Sequence, residues 1–372
     1  MKQMRLAVAC ALAVMTVAPA QAQVQESVLH NFKTPTGADP AAGVTLAPDG
    51  IYGTAQYGGT ANYGVVYKLD TSFHYTVLHN FMGADGANPS AGVIRDSAGN
   101  LYGTTAGGGT AGYGVVYKLD AAGTYTVLYN FTGGADGYYP YAGVIRDSAG
   151  NLYGTTYSGG TAGYGVVYKL DPASNYTVLH NFTGGIEGSD PAGVVRDSAG
   201  DLYGTANGGG TTGYGVVYKL DADGNYTVLH VFKEGTGPNG VILTADGLYG
   251  TTLGGGTAND GVVYKLDASA HYTVLHNFTG GSDGKSPYAG VIRDSAGNLY
   301  GTTYSGGTAG RGLVYKLDTA GNYTVLYNFT ILADGANPRA GVVRSPAGDL
   351  VGTTEGGGNG GFGVVFVLTG VQ

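Results

Sequence analysis

The chain has 372 residues, with 71 glycines, 31 tyrosines, no tryptophan and a single cysteine, Cys10. Charged residues make up 12% of the chain, and the formal net charge is −8 at pH 7. We expect no nucleic-acid partner, because an acidic chain without a basic patch has nothing to neutralise phosphates.

Residues 1–22 have the features of a secretory signal peptide. Lys2 and Arg5 give a positive start, residues 6–20 form an apolar run too short to span a bilayer, and residues 20–22 fit a small-x-small cleavage site. We therefore expect a secreted or periplasmic protein that is cleaved near Ala22 and has no membrane span. The mature chain carries 16 basic and 26 acidic residues and no cysteine.

The unit from residue 91 to residue 131 shows how the rest of the chain is built. It holds four short β-branched or aromatic runs, separated by turn residues. The runs are Gly92–Arg95, Leu101–Thr105, Gly114–Leu119 and Tyr125–Phe131. Asp-x-x-Gly turns join the first two and the last two runs, which predicts two hairpins in a four-stranded antiparallel meander. We name its strands A, B, C and D.

Seven copies of this unit follow one another, marked by Leu-Tyr-Gly-Thr or a close variant in strand B. The copies begin at positions 51, 101, 152, 202, 248, 299 and 350. Four short strands at a near-constant spacing of about 50 residues are the pattern of a β-propeller. We predict an all-β fold, with residues 23–372 forming one seven-bladed β-propeller domain.

The two ends of the chain predict how the ring closes. The first repeat is preceded by a lone D-type strand, residues 28–32, and the last repeat ends after a C-type strand, residues 363–368. If these two pair, the N-terminal strand completes the last blade and no inner edge is left open. We expect such a closed ring to be a monomer.

One resemblance rests on two segments of the unit. Residues 96–104, Asp-Ser-Ala-Gly-Asn-Leu-Tyr-Gly-Thr, are followed by Gly-Val-Val-Tyr-Lys-Leu-Asp at 114–120. This pattern resembles the GloVer-type (choice-of-anchor) tandem repeat of exported bacterial proteins. It is also similar, more loosely, to the blades of sensor-kinase periplasmic propellers. The resemblance implies a secreted repeat protein of unassigned activity.

Binding residues are expected where the repeat pattern is broken. In the predicted topology the B-to-C and D-to-A connections emerge on one face, which we call the variable face. Exposed tyrosines beside amides and carboxylates suit stacking on sugar rings or contact with a protein partner. The candidates on this face are Tyr57, Tyr157, Asp260, Tyr304, Arg311 and Glu355.

Five arginines recur near the end of strand A, the strand expected nearest the axis. One interpretation is a partial ring of guanidinium groups around the channel that could hold a carboxylate or sulfate. The other is ion pairing with aspartates of neighbouring turns. The arginines are Arg95, Arg146, Arg196, Arg293 and Arg344.

Two patterns suggest a cofactor or a metal at first sight. Residues 107–112 satisfy G-x-G-x-x-G, but a strand follows them, whereas a dinucleotide site needs a helix N-terminus. The acidic D-to-A loops lack the alternating oxygen ligands of a calcium loop. We expect no cofactor and no metal ion.

Three functions fit these observations. The first is an exported, non-catalytic recognition or scaffold propeller that binds glycan or protein through the variable face. The second is a polysaccharide-degrading lyase or hydrolase, for which Glu355 with Arg311 or Asp260 is the available acid/base pair. The third is a structural component of the envelope or matrix. Fold alone does not choose among them.

Overall fold

The computed structural model describes residues 23–233, 237–330 and 332–371. These residues form seven four-stranded antiparallel sheets, each in the order A-B-C-D, which confirms the seven-bladed propeller. The predicted signal peptide, residues 1–22, lies outside the described residues. Within the described ranges, none of the helical structure is long and apolar enough to cross a bilayer.

The strand bounds repeat from blade to blade. The A strands are Thr45–Ala47, Ile94–Arg95, Ile145–Arg146, Ser189–Arg196, Ile242–Thr244, Ile292–Arg293 and Val343–Arg344. The B strands are Gly50–Ala55, Leu101–Thr105, Leu152–Thr156, Leu202–Gly208, Gly247–Thr252, Leu299–Thr303 and Leu350–Thr354. The C strands are Val65–Leu69, Val115–Leu119, Val166–Leu170, Val216–Leu220, Val262–Leu266, Leu313–Leu317 and Val364–Thr369. The D strands are Tyr75–Asn80, Tyr125–Asn130, Tyr176–Asn181, Tyr226–Val231, Tyr272–Asn277, Tyr323–Asn328 and, for blade 7, Gln25–Asn31. A 3-10 turn, Gly185–Glu187, precedes the A strand of blade 4.

The hairpin turns form as the sequence predicts. In blade 2, the Asp96 carboxylate accepts backbone N–H groups from Ala98 and Asn100 at 3.0 and 2.9 Å. Gly99 takes φ +89°, a backbone conformation that residues with a side chain rarely adopt. The aspartate therefore satisfies the turn's own donors, and the glycine lets the chain reverse.

The hydrophobic core lies between neighbouring sheets. In blade 2 the ring of Tyr117 is fully buried and packs edge-on against Phe81 of blade 1, with 5.4 Å between the ring centroids. Gly103 makes room for this ring, since a Cβ at that position would lie 2.5 Å from the tyrosine hydroxyl. Each blade is thus covered on both faces, which explains how the strands can be apolar on both sides.

A threonine hydroxyl ties each blade to the next. The Thr104 hydroxyl of blade 2 donates to the Ala142 carbonyl of blade 3 at 3.0 Å. The same bond recurs at every junction, and at the last one Thr353 donates to Ala42 of blade 1 at 2.8 Å. The other five donors are Thr54, Thr155, Thr205, Thr251 and Thr302.

The A strands are short in every blade except blade 4, where the strand is Ser189–Arg196. The run predicted as Gly92–Arg95 pairs with strand B only over Ile94–Arg95, and just before it the Ala91 carbonyl accepts from Thr54 of the preceding blade at 2.9 Å. The chain before Ile94 therefore bonds across blades rather than within its own sheet. Neighbouring A strands approach closely here, since a Cβ at Gly92 would lie 2.5 Å from the Gly43 carbonyl oxygen.

The N-terminal strand closes the ring as predicted. Gln25–Asn31 pairs antiparallel with Val364–Thr369, with Ser27 opposite Val367 and Asn31 opposite Val364. Glu26 occupies the position at which the other D strands carry a tyrosine. The last blade is therefore made from both ends of the chain.

Candidate functional site

A cavity of about 630 Å³ opens on the variable face, and residues from all seven blades line it. Only the axis of the ring is shared by every blade, so we call this cavity the axial pocket. The residue that follows the proline before strand A contributes from every blade. These residues are Ala41, Ser90, Tyr141, Ala192, Asn239, Tyr288 and Arg339.

A second position contributes from four blades. It is the fifth residue after the start of the Leu-Tyr-Gly-Thr signature, where strand B gives way to the B-to-C loop. The residues that line the pocket from this position are Gln56, Tyr157, Asn207 and Leu253. The two positions meet because the B-to-C loop of a blade and the entry to its A strand lie side by side at the axis.

Two tyrosine pairs belong to this site. Tyr141 and Tyr157 of blade 3 meet edge to face, with 5.4 Å between ring centroids. Tyr288 and Tyr304 of blade 6 make the same kind of contact at 5.0 Å. Such geometry fixes the rings, so that each pair presents a preformed aromatic surface.

Charged groups lie beside the second pair. The Arg339 guanidinium lies 5.6 Å from the centre of the Tyr288 ring and 3.7 Å from the Glu355 carboxylate. Burial, together with the nearby Glu355 carboxylate, raises the pKa of the Tyr304 hydroxyl. The site therefore combines a phenol, a carboxylate and a guanidinium on one side of the pocket.

The loops under these residues are held by a residue with positive φ just before each proline. The amides of Asn88 and Asn337 donate to the carbonyls of Gln56 and Tyr304 at 3.3 and 3.0 Å. Asp39 and Asp190 take this position in two other blades, with φ +53° and +58°. Burial raises the pKa of both carboxyls, and the Glu355 charge raises that of Asp39 further. An ionised aspartate has no N–H to donate to the neighbouring carbonyl, and burial raises its pKa because it disfavours the charge.

The structure separates the six residues predicted on the variable face. Tyr157 lines the axial pocket, and Tyr304 and Glu355 contact residues that line it. Tyr57 is exposed and its backbone pairs with Ala38. The other two lie outside the pocket lining: Asp260 packs against Gly280 of its own D-to-A loop, and Arg311 is exposed on its B-to-C loop.

Arg339 was missed by sequence reasoning, although it is the ion-pair partner that the structure assigns to Glu355. The available signal was the variation at the residue after the proline, which ranges from alanine to tyrosine and arginine. The sequence does not show that this position and the end of strand B face one cavity. That proximity depends on all seven blades meeting at the axis.

The five recurring arginines stack on the preceding blade. Each guanidinium lies 5.1 to 5.9 Å from the centre of a strand B tyrosine ring. Arg95 and Arg293 also pair with Asp49 and Asp246 of the preceding A-to-B turn, at 3.5 and 2.9 Å. These contacts connect neighbouring blades. An anion held by the same arginines at the channel stays a prediction.

Leu46 of blade 1 interrupts the arginine series, and the structure shows why. It packs in a cluster with Val351, the residue that replaces the strand B tyrosine in blade 7. A guanidinium there would have no ring to stack on.

The histidines that recur in strand D have a similar role at the outer edge. His79 stacks on Tyr125 of the next blade, with 3.8 Å between centroids, and contacts the Asp85 carboxylate at 2.9 Å. Burial lowers the pKa of His79. Within the described ranges, no three His, Cys, Asp or Glu side chains come together as a metal site.

The tandem repeat of this chain matches the model of a known protein family. The model of the Gloeobacter/Verrucomicrobia repeat matches residues 13–185, 51–246 and 198–371 in three overlapping spans. The chain belongs to the Gloeobacter/Verrucomicrobia repeat family. The match confirms the resemblance to GloVer-type repeats, which was based on residues 96–104 and 114–120.

Solved structures similar to this Gloeobacter/Verrucomicrobia repeat protein share its fold at low identity. A virginiamycin B lyase from Staphylococcus aureus is 13% identical with a TM-score of 0.62, over 93% of this chain and 99% of that chain. A chain of the mitotic checkpoint complex is 13% identical with a TM-score of 0.59, over 99% and 98%. A putative 6-phosphogluconolactonase from Bacteroides uniformis is 14% identical with a TM-score of 0.55, over 82% and 90%. No curated protein sequence matches the chain. At these identities the likeness concerns the propeller fold alone.

Proposed function

We propose that this repeat protein is an exported, non-catalytic recognition module that binds a carbohydrate in the axial pocket. Export rests on the sequence of residues 1–22. The carbohydrate rests on one observation above all, that Tyr141, Tyr157 and Tyr288 line a single pocket, each in an edge-to-face pair that Tyr157, Tyr141 and Tyr304 respectively complete.

The size and shape of the pocket support a glycan more than a protein partner. Its volume of about 630 Å³ falls within the ~300–1,000 Å³ of small-ligand sites. A stable protein partner needs about 800 Å² of surface from each side, which a concave axial pocket does not offer. Aromatic faces, by contrast, cover the apolar C–H face of a sugar ring while amides bond to its hydroxyls.

The proposal is tested with residues 23–372 on a glycan array, in parallel with a pull-down from the source organism. We expect glycan signals that are lost in the double variant Tyr157→Ala with Tyr288→Ala. Tyr164→Ala is the matched control, since Tyr164 is an exposed tyrosine of blade 3 outside the pocket lining. Circular dichroism shows that each variant is folded. Glycan binding that survives the double variant, or a protein captured in place of a glycan, argues against the proposal.

A polysaccharide-degrading enzyme is the second candidate, and it rests on Glu355. This carboxylate has a phenol and a guanidinium beside it, those of Tyr304 and Arg339, so an acid, a base and a charge stabiliser lie together. Product release from a polysaccharide, abolished by Glu355→Gln, would establish the enzyme. Binding without product favours the recognition module.

A further inference from the structure

The charges and hydrogen-bonding groups of the axial pocket define the class of sugar. We infer that the ligand is a neutral oligosaccharide and that the pocket rejects uronates and other anionic glycans. This inference rests on the proposed function, because it concerns the same pocket.

The first step concerns the cation of the pocket. Among the described residues that line it, Arg339 is the single cationic side chain. It is already engaged, with Glu355 at 3.7 Å and the face of Tyr288 at 5.6 Å. A ligand carboxylate would have to displace Glu355 from Arg339 and then remain near it. A guanidinium binds a carboxylate best through two parallel N–H groups, and Arg339 already faces the Glu355 carboxylate.

The second step concerns the carboxylates near the pocket. Glu355 lies beside Arg339, its charge acts on the carboxyl of Asp39, and the charge of Asp190 acts on Tyr157, which lines the pocket. Like charges at 4 Å repel by about 4 kcal/mol at the effective dielectric constant of a protein surface. The chain as a whole is also acidic, with a formal net charge of −8. Both the local and the overall field therefore oppose an anionic ligand.

The third step concerns the groups that are free to bond. Within the described part of the chain, the hydroxyls of Tyr141, Tyr157 and Tyr288 make no hydrogen bond to protein, and neither does the side-chain amide of Asn207. Hydroxyls and amides can both donate and accept. Such groups match sugar hydroxyls, which also do both, and they carry no positive charge to pair with the carboxylate of a uronate.

The fourth step concerns shape. Blades 3 and 6 are three positions apart around the ring in one direction and four in the other. Their tyrosine pairs therefore stand on nearly opposite sides of the axis. Ala192 of blade 4 and Leu253 of blade 5 supply apolar wall between them. A sugar ring that enters along the axis meets an aromatic surface on both sides and polar groups in between.

The test compares sugars that differ only in charge. Neutral oligosaccharides that score on the array are measured by isothermal titration calorimetry against their C6-oxidised counterparts, in which each primary alcohol is a carboxylate. We expect the neutral form to bind at least about tenfold more tightly. Because counterions screen the repulsion, the ratio should fall as salt is raised.

Glu355→Gln supplies the decisive variant. It removes the carboxylate, leaves Arg339 free and keeps the side-chain volume, so the preference for the neutral sugar should shrink about tenfold or reverse. Asp223→Asn makes the same change in net charge at an exposed turn outside the pocket lining, and we expect it to leave the preference unchanged.

Each outcome has one meaning. Uronates that bind as tightly as neutral sugars in the wild type, or a preference that Glu355→Gln does not alter, overturn the inference while the proposed function stands. If neither form binds to a folded protein, the proposed function fails as well.

Discussion

Glu26 lies where the N-terminal strand closes the ring, and it makes the stability of this closure depend on pH. In the other D strands the same position is a tyrosine that stacks on the preceding blade, as Tyr125 does on His79. Here the position holds a half-buried carboxyl, and its Oε1 is buried without a hydrogen-bond partner in the described part of the chain. Burial first, and then the nearby Asp334 charge, raise the pKa of Glu26 from its ordinary value of 4.5 to about 7.

The direction in which stability changes with pH follows from the number of protons that the folded and unfolded chains bind. Between pH 4.5 and about 7 the folded chain keeps the Glu26 proton while the unfolded chain has lost it, so stability falls as pH rises through this window. A shift of this size in a fully buried group would correspond to about 3 kcal/mol. Because Glu26 is only partly buried, we expect ~1–2 kcal/mol.

The variant Glu26→Gln should remove this loss. Urea unfolding of the wild type and the variant is followed by circular dichroism at pH 4.5 and pH 8. The unfolding free energy of the variant minus that of the wild type should be ~1–2 kcal/mol larger at pH 8 than at pH 4.5. Asp223→Asn, the same charge change at an exposed turn, should show no such gain. If the unfolding free energies of the wild type and Glu26→Gln differ by the same amount at both pH values, the reasoning is refuted.

Three further changes test the loops and the ring. Asp39→Asn should raise stability at pH 7 by ~0.5–1.5 kcal/mol, the value of one net hydrogen bond, because it supplies the amide donor present in two other blades. The gain should vanish below about pH 4, where the folded and unfolded carboxyls are both protonated, and a constant gain would contradict this cause. Thr353→Val removes the bond to Ala42 that ties blade 7 to blade 1, and we expect a loss of ~1–3 kcal/mol in urea unfolding; no loss would mean that this bond does not hold the ring. Gly103→Ala places a methyl group 2.5 Å from a buried tyrosine hydroxyl, so it should lower the free energy of unfolding by ~1–3 kcal/mol. An unchanged midpoint in urea unfolding would show that the neighbouring strands move apart to make room.

The repeat made the architecture readable from the sequence. Asp96 and Gly99 define a hairpin whether or not a neighbour is present, since both act on the local backbone. The seven signatures count the blades, and the lone strands at residues 28–32 and 363–368 indicate how the ring closes. Each of these is a local pattern, repeated often enough to be unambiguous.

The candidate site could be predicted only in part. Tyr157, Tyr304 and Glu355 stand out because they break the pattern after strand B, and the structure brings them to the axis or next to it. Asp260 and Arg311 break the pattern equally, yet they lie outside the pocket lining. A departure from the repeat marks a variable position, but the sequence does not tell whether that position faces the axis or the outer part of the face.

The sequence by itself thus determined the blade, the number of blades and the strand that completes the last one, because these follow from turn chemistry and periodicity along the chain. Only the tertiary structure decided that Arg339 pairs with Glu355, that the recurring arginines stack on the preceding blade, and that all seven blades contribute to one pocket. Residues about 50 positions apart become neighbours only when the ring closes, and no pattern within a single repeat contains that distance.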